Sequence, residues 1–377
     1  MRILTVVNWL NRGGIETMLL AAIPRLRQAG IEMDFCCLGP GTLDAEFAAQ
    51  GCALWRIPKT GNCRRTAREF QTVVARRRYA AIHSHFGHTS GGFALGAARA
   101  GVAIAVSIHS GMALSLYGWR TVPLLRQARS VWLAWHRRLM QRHVNLFVGH
   151  SRENLRSFSP AWESDPGRYR VILNGIDFPA KLPDRRDARQ QLGIDSRTLL
   201  LLHVGSFRPE KNHAGLLEIL REVVARRPAT QLLLVGDGPL RSGIAEMSQK
   251  WGLEGHVRFE GTRADCWPYY AAADVLVFPS ITEGFGNVLV EGQGAGLPLV
   301  ASDIPAHHES VAPSQRPFLF PLPDYGRAAE LVLQQAEAAR QDNNDAVTAA
   351  QAYVRQQFGI ERFAADLRNL YLDLQAG

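Results

Sequence analysis

The sequence predicts an α/β protein built from two parallel-sheet units in tandem, on three observations. Short apolar runs alternate with longer amphipathic ones along the chain. The alternation breaks once, at a polar stretch, and then starts again. Glycine, short polar residues and charges gather where the apolar runs of the second series end. Near-continuous apolar strands separated by helices indicate parallel sheets covered on both faces. The restart indicates two sheets, since 377 residues are too many for one compact core. Ligands of such sheets sit at the carboxyl ends of the strands. With two units, the expected site is the cleft between them.

In the first series "RILTVV" precedes the helical pattern "IETMLLAAIPRLRQAG", and "MDFCCL" precedes "LDAEFAAQG". "ALWRI" leads into "RRTAREFQTVVARRR", and "AAIHSH" into "SGGFALGAARAG". "VAIAVSIH" leads into a long segment rich in Trp and Arg. Residues 178–197, polar and with two prolines, read as a linker carrying a short helix. The second series is "TLLLLHVG", "TQLLLVG", "HVRFEG", "DVLVFPS" and "LPLVAS". The predicted division is 1–177 for the first unit and 178–358 for the second. A last helix, about 359–377, is expected to cross back onto the first unit.

Composition excludes several classes. With 46% hydrophobic and 20% charged residues and no low-complexity tract, the chain is globular. Five cysteines, none in a C-x-x-C pair, argue for a reducing compartment and against a disulfide framework. The opening "MRILTVVNWL" reads as a buried strand rather than a signal peptide. No run reaches the roughly 18 apolar residues that suggest a membrane span. Residues 1–180 hold 23 Lys and Arg against 10 Asp and Glu, a net of +13. Residues 181–377 hold 20 against 24, a net of −4. A basic half suits nucleic acid, anionic lipid or phosphorylated substrates, or is simply a solvated surface.

Chemistry concentrates at the strand ends of the second unit. In "HVGSFRPEKN", Arg208 and Lys211 lie three apart just after a strand and share one side of a starting turn. They can hold a diphosphate, Arg by its fork and Lys as a point charge. The alternative is a solvated pair balanced by Glu210. In "EGFGNVLVE", Gly284, Phe285 and Gly286 suit a tight turn, and a helix is expected from near Asn287. The N–H groups of its first turn would favour an anion. Glu291 falls one turn beyond Asn287, while Glu283 stays on the loop, so two carboxylates reach one ligand from different depths. Carboxylates accept from hydroxyls, which fits the sugar and ribose of a nucleotide sugar. The alternative is a helix start with an acidic first turn.

These segments resemble a known family. Glu283 and Glu291 match the E-x7-E signature of retaining glycosyltransferases of GT-B fold, specifically the large fourth family. "NRGGIETMLL" resembles its glycine loop, "VILNGID" its domain junction, "HVGSFRPEKN" its phosphate-binding segment and "EGFGNVLVEGQGAGLPLVASD" its donor signature. "GGIET" and the histidines of "IHSH" resemble the capsular and exopolysaccharide members. The resemblance implies two Rossmann-like domains facing each other across a cleft, the first for the acceptor and the second for the donor. It implies that Arg208 and Lys211 hold the donor diphosphate, together with the Gly205 and Asp237 loops and with Gly13 and Gly14. Glu283 would contact the transferred sugar, the backbone from Gly284 through Phe285, Gly286, Asn287 and Val288 its hydroxyls or phosphate, and Glu291 the ribose. Arg263 lies where the base is contacted. His109 would stand beside the reacting sugar and His85 would face the acceptor. One departure is Gly292, where the family usually has alanine, followed by Gly294 and Gly296. At ~1 kcal/mol per helical glycine, a looser helix behind Glu291 is expected.

The reaction implied is transfer with retained anomeric configuration from a nucleotide sugar, UDP rather than GDP, to a glycan or polyprenyl-linked saccharide in bacterial polysaccharide synthesis. The leaving phosphate would take the acceptor's proton on the same face. No D-x-D and no His/Cys/carboxylate spacing points to a metal, and no cofactor is expected. The nearest rival is a sugar-nucleotide epimerase on the same scaffold. A nucleic-acid binder lacks any supporting motif. The expected place is the cytoplasm, with peripheral attachment to the inner membrane face through Arg64, Arg65, Arg68, Arg76, Arg77 and Arg78. The 117–142 stretch would add Trp119, Trp132 and Trp135 among Arg120, Arg126, Arg129, Arg137 and Arg138, with Trp132 and Trp135 on one helix face.

Overall fold

The computed structural model describes residues 1–109, 123–338 and 345–376, without the side chains of 123–126. The chain forms two compact units, Met1–Asp177 with Ile360–Gly377, and Phe178–Gly359.

The first unit holds seven parallel strands. They are β1 (Arg2–Val6), β2 (Glu32–Cys37), β3 (Leu54–Arg56), β4 (Ala81–Ser84), β5 (Ile104–Ile108), β6 (Leu146–Gly149) and β7 (Tyr169–Val171). Their order is β3-β2-β1-β4-β5-β6-β7. The direction of winding therefore reverses between β1 and β4, and a crevice opens outside the carboxyl ends at such a reversal. Helix Ile360–Ala376 presents Ile360, Phe363, Leu367, Leu370, Tyr371 and Leu374 at helical spacing to the core that also buries Leu19 and Ile23. Leu367 is fully buried, so Leu367→Ala is expected to cost about 2–5 kcal/mol.

The second unit holds β8 (Leu199–Val204), β9 (Thr230–Val235), β10 (Val257–Gly261), β11 (Val275–Phe278), β12 (Leu299–Ser302) and the two-residue β13 (Leu319–Phe320), all parallel. Their order is β10-β9-β8-β11-β12-β13, reversing between β8 and β11. The linker carries helix Arg185–Leu192, capped by Asp184 and ended by Gly193 at φ 64°. Strands β6, β7 and β13 extend the sheets beyond the sequence reading. β6 follows the long Trp- and Arg-rich segment, β7 runs into the stretch read as the domain junction, and β13 has only two residues.

Two surface expectations change. Arg77 binds Asp34 at 3.1 Å, and that fully buried carboxylate is also held by Arg2 and by the Tyr79 hydroxyl. Arg76 and Arg77 both lie over Trp55. This run is therefore partly structural. Trp132 donates its indole N–H to the Gly61 carbonyl and packs on His136, whereas Trp135 is 48% exposed. The two tryptophans do not share one role. Trp119 and Arg120, and the Arg126 side chain, lie outside the described residues.

Candidate active site

The ends of β8 and β11 flank the reversal of the second sheet, and the chemistry gathers there. After β8 the chain turns through Gly205 and Arg208 into a single 3-10 turn, Pro209–Lys211. Asn212 then adopts φ 54°, which Asn tolerates better than most residues. Its amide accepts from Gly215 N–H to start helix His213–Arg226 and donates to the Pro279 carbonyl after β11. One side chain thus ties the two loops together. Arg208 is exposed at the turn. Lys211 is not balanced by Glu210. Its Nζ donates to Glu283 Oε1 at 2.6 Å and lies over the Phe278 ring. Both partners are mostly buried, at 16% and 12% side-chain exposure. A cation and an anion so held are desolvated and preorganised, and a ligand phosphate can compete with Glu283 for the lysine.

Glycine is required at several of these positions. Gly286 sits at φ 93° ahead of helix Asn287–Gly294, which has no side-chain cap. A Cβ on Gly205 would crowd His203 Nε2 at 3.1 Å, and one on Gly236 would collide with the Gly205 carbonyl oxygen at 2.1 Å. The expected looseness behind Glu291 is not found. Gly292 packs against Leu276 of β11, where a Cβ would come within 2.6 Å. Gly294 packs on the Phe178 ring, where a Cβ would come within 2.0 Å. These glycines bring the helix close to its neighbours. Phe285 is buried against Phe358, so it offers a ligand its backbone only. Gly284 and Asn287 lie in the same turn, and Val288 packs against the core.

Glu291 is partly buried and accepts a 2.6 Å hydrogen bond from the Tyr270 hydroxyl. Burial raises its carboxyl to about 7, against a lowering by that hydrogen bond. Burial, then the Glu291 charge, pushes Tyr270 well above its usual range. At neutral pH the carboxyl is therefore poised between its two forms. Asp237 is exposed and its carboxylate accepts from Gly238 N–H. Arg263 is exposed and pairs with Glu260 at 3.1 Å.

Sequence reasoning missed a set of buried polar groups at this edge. Ser280 Oγ, His203 Nε2 and His307 Nε2 are buried without a hydrogen-bond partner among the described residues. His307 is lowered to about 4 by burial, partly offset by Glu283. Buried polar atoms are normally satisfied, so these three are candidate ligand contacts.

In the first unit, Gly13 closes the loop that follows β1 and precedes helix Gly14–Gln28, with Glu16 in the first turn. A Cβ on Gly13 would meet Glu16 Oε2 at 2.8 Å. His85 follows β4 and His109 follows β5, and they share a hydrogen bond, His85 Nδ1 to His109 Nε2, at 2.9 Å. His150, after β6, was not anticipated. It stacks on His109 with ring centres 4.2 Å apart and planes 10° from parallel. Ser107 Oγ joins His150 Nε2 at 2.9 Å to His83 Nε2 at 2.8 Å, and His83 Nδ1 meets the Tyr371 hydroxyl at 2.9 Å. Each strand ends in a histidine, a signal visible in "LFVGHS". Burial, then His150 and His83, holds His109 well below its ordinary value. Burial brings His150 to about 4 and, with His150, His83 to about 3. All are neutral at pH 7, so His109 acts as a hydrogen-bonding group rather than a cation.

The fold thus assembles a histidine cluster that the spacing did not reveal. One nitrogen each of His85, His109 and His150 lies within 4.8 Å of the others. The near-parallel rings of His109 and His150 aim their in-plane lone pairs side by side rather than at a common point. That arrangement fits a stacked hydrogen-bonding platform better than a tetrahedral metal site.

Known proteins supply a comparison. Residues 12–178 match the family described as "Glycosyltransferase Family 4", and residues 184–352 match "Glycosyl transferases group 1". "Putative glycosyltransferase EpsF" of Bacillus subtilis (strain 168) is 29% identical over 80% of this chain and 79% of its own length. "Lipopolysaccharide core biosynthesis glycosyltransferase LpsD" of Rhizobium meliloti (strain 1021) is 35% identical over 37% of this chain. That match spans only 38% of the relative's length. Anabaena Alr3699/HepE, solved in complex with UDP-glucose, superposes with a TM-score of 0.78 at 21% identity, covering 98% of this chain and 99% of that one. The last likeness is one of fold.

Proposed function

The chain belongs to the GT-B glycosyltransferases, carrying a Family 4 domain and a group 1 domain in succession, and on that premise we propose that it moves a sugar from a UDP-sugar, with retention, to a glycan or lipid-linked saccharide in surface polysaccharide synthesis. The second unit takes the donor and the first unit the acceptor. The observation that carries the donor assignment is the Lys211–Glu283 pair at 2.6 Å beside the helix that bears Glu291. In this reading Lys211 and Arg208 bind the diphosphate and stabilise the charge that grows on it as the sugar leaves, each such group contributing about 10²–10³ in rate. Glu283, released from Lys211, accepts from hydroxyls of the transferred sugar. Glu291 accepts from the ribose and keeps Tyr270 as its donor. His109, held neutral, hydrogen-bonds the reacting sugar, and His85, its partner, turns toward the acceptor. The acceptor hydroxyl oxygen bonds to the anomeric carbon on the face from which the diphosphate departs, the bond from that carbon to the phosphate oxygen breaks, and the leaving phosphate takes the hydroxyl's proton.

The solved HepE complex with UDP-glucose and the name of LpsD support the donor and the pathway class. The work would be done in the cytoplasm, with the basic first unit at the membrane face. Calorimetric titration with UDP, GDP and a panel of their sugars tests the reading. UDP-sugars should bind with micromolar affinity, at least tenfold more tightly than GDP-sugars, and lose that affinity in Glu291→Ala. Equal affinity for GDP, or an unaffected variant, would overturn it.

A further inference from the structure

His307 stands at the carboxyl edge of the second sheet with one ring nitrogen unused. It lies on the short helix Pro305–Ser310, just after β12, and it is fully buried. Its Nδ1 is 2.7 Å from the Ser302 carbonyl oxygen and 3.5 Å from Ser302 Oγ. A carbonyl oxygen only accepts. The Ser302 hydroxyl gives its proton to the Ser280 carbonyl and has none left for the ring. Nδ1 therefore carries the hydrogen. Burial lowers the ring to about 4, so it is neutral at pH 7. Nε2 is then a bare lone pair, buried away from solvent with no partner among the described residues.

The fixed tautomer says what is missing. A buried acceptor calls for a hydrogen-bond donor. The ionised diphosphate of a nucleotide sugar only accepts, so it cannot meet this atom. The surroundings place Nε2 beside the turn that follows Glu283. Gly286 lies against the ring, where a Cβ would meet Cδ2, the carbon bonded to Nε2, at 3.6 Å. The ring also packs on Phe278, centres 5.7 Å apart, and Lys211 Nζ lies 4.9 Å from the centre of that same Phe278 ring. The charges of Glu283 and Lys211 both reach His307, the first favouring its protonation and the second opposing it. His203 offers a bare Nε2 in the same way, its Nδ1 facing the Val277 carbonyl at 3.0 Å. That atom, however, sits under Gly205 and the stem of Lys211, on the side assigned to the diphosphate.

We propose that His307 Nε2 accepts a hydrogen bond from a hydroxyl of the transferred sugar, near the one that Glu283 takes, and so helps decide which sugar is bound. A carboxylate and an imidazole lone pair at one turn suit a ligand that offers two neighbouring hydroxyls. A sugar lacking one of them, or an epimer that turns it away, leaves Nε2 buried and unpaired, and that loss is what lets a polar site reject an analogue. The inference rests on the donor reading and deepens it, by naming a residue that reads the sugar rather than the nucleotide.

Calorimetric titration of the intact chain with UDP, UDP-glucose, UDP-galactose and UDP-N-acetylglucosamine tests this. His307→Asn keeps an N–H for the Ser302 carbonyl and removes the atom at Nε2. His307→Gln restores a polar atom there. In His307→Asn, affinity for at least one UDP-sugar should fall about tenfold, the size of one buried hydrogen bond, while affinity for UDP stays within about twofold. His307→Gln should recover part of the loss. Among analogues of that donor that each lack one sugar hydroxyl, one should bind the parent about tenfold more weakly and cost His307→Asn nothing further. Equal losses for UDP and every UDP-sugar would mark a structural role, or a resident water at Nε2, and overturn the proposal. Unchanged affinities, losses that add for every analogue, loss of fold in both variants, or a parent that binds UDP and none of the three donors would also overturn it. UDP bound with sugar affinity indifferent to His307 refutes this residue alone, and absence of UDP binding refutes the donor reading as well.

Discussion

Glu291→Gln should make the protein more stable and a poorer binder at the same time. Burial lifts this carboxyl from its ordinary 4.5 to about 7. The fold therefore prefers the protonated acid, and the unfolded chain does not. Stability from this group is full below about pH 4.5, falls as pH rises through 7, and is lost above it. A rise of that size corresponds to about 3 kcal/mol. Partial exposure reduces the expectation to about 1–3 kcal/mol. Glutamine keeps an oxygen for the Tyr270 hydroxyl and never ionises. The variant should thus melt higher at pH 8 by about 2–4 °C per kcal/mol, and at pH 5 the two proteins should melt together. Its affinity for UDP at pH 8 should drop about 10–100-fold, the size of hydrogen bonds lost from a charged acceptor. Calorimetric scanning and titration at both pH values measure the two effects. A variant that melts with or below the parent at pH 8 would refute the burial argument. Undiminished UDP affinity would refute the ribose assignment.

Four further outcomes follow from the same geometry. Arg208→Ala and Lys211→Ala should each slow transfer about 10²–10³-fold; Arg208, being exposed, is the cleaner test, and rates within threefold of the parent in both would remove the phosphate clamp. Glu283→Ala should leave UDP affinity nearly intact, or raise it slightly by freeing Lys211, while reducing use of the sugar donor; an equal loss in Glu283→Ala and Glu291→Ala would contradict the division of labour. Activity should survive excess chelator, and complete loss restored by Mg²⁺ or Mn²⁺ would overturn the metal-free reading. Sedimentation with anionic vesicles should fall with salt and drop when Arg64, Arg65 and Arg68 become serine, since Arg77 is committed to Asp34; equal sedimentation with neutral vesicles would oppose peripheral attachment.

Ten of the strands were legible because each is an apolar run followed by an amphipathic helix. Strands β6, β7 and β13 were not: β6 follows the long Trp- and Arg-rich segment, β7 runs into the stretch read as the domain junction, and the two-residue β13 has no pattern of its own. The turn and helix start between Glu283 and Glu291 were readable because the loop, the helix start and the two acids lie within nine residues. What escaped is whatever the fold brings together from afar. Lys211 meets Glu283 from 72 residues away, and Tyr270 meets Glu291 from 21. His150 reaches its place on His109 only through the order of the sheet. The glycines after Glu291 read as weak helix, whereas their neighbours Leu276 and Phe178 make glycine a condition of packing. Trp132 and Trp135 seemed one face from spacing alone, yet the loop at Gly61 claims the first and leaves the second outside.

The proposed reaction is retaining transfer from a UDP-sugar held in the second unit. Its most direct test follows hydrolysis of an α-linked UDP-sugar without acceptor by proton NMR, read in the first minutes before the released sugar mutarotates. The α-anomer should appear first, and Lys211→Ala should suppress it about 10²-fold or more. Early β-anomer would contradict retention. An isomerised nucleotide sugar, or no turnover with any UDP-sugar, would contradict the transferase itself.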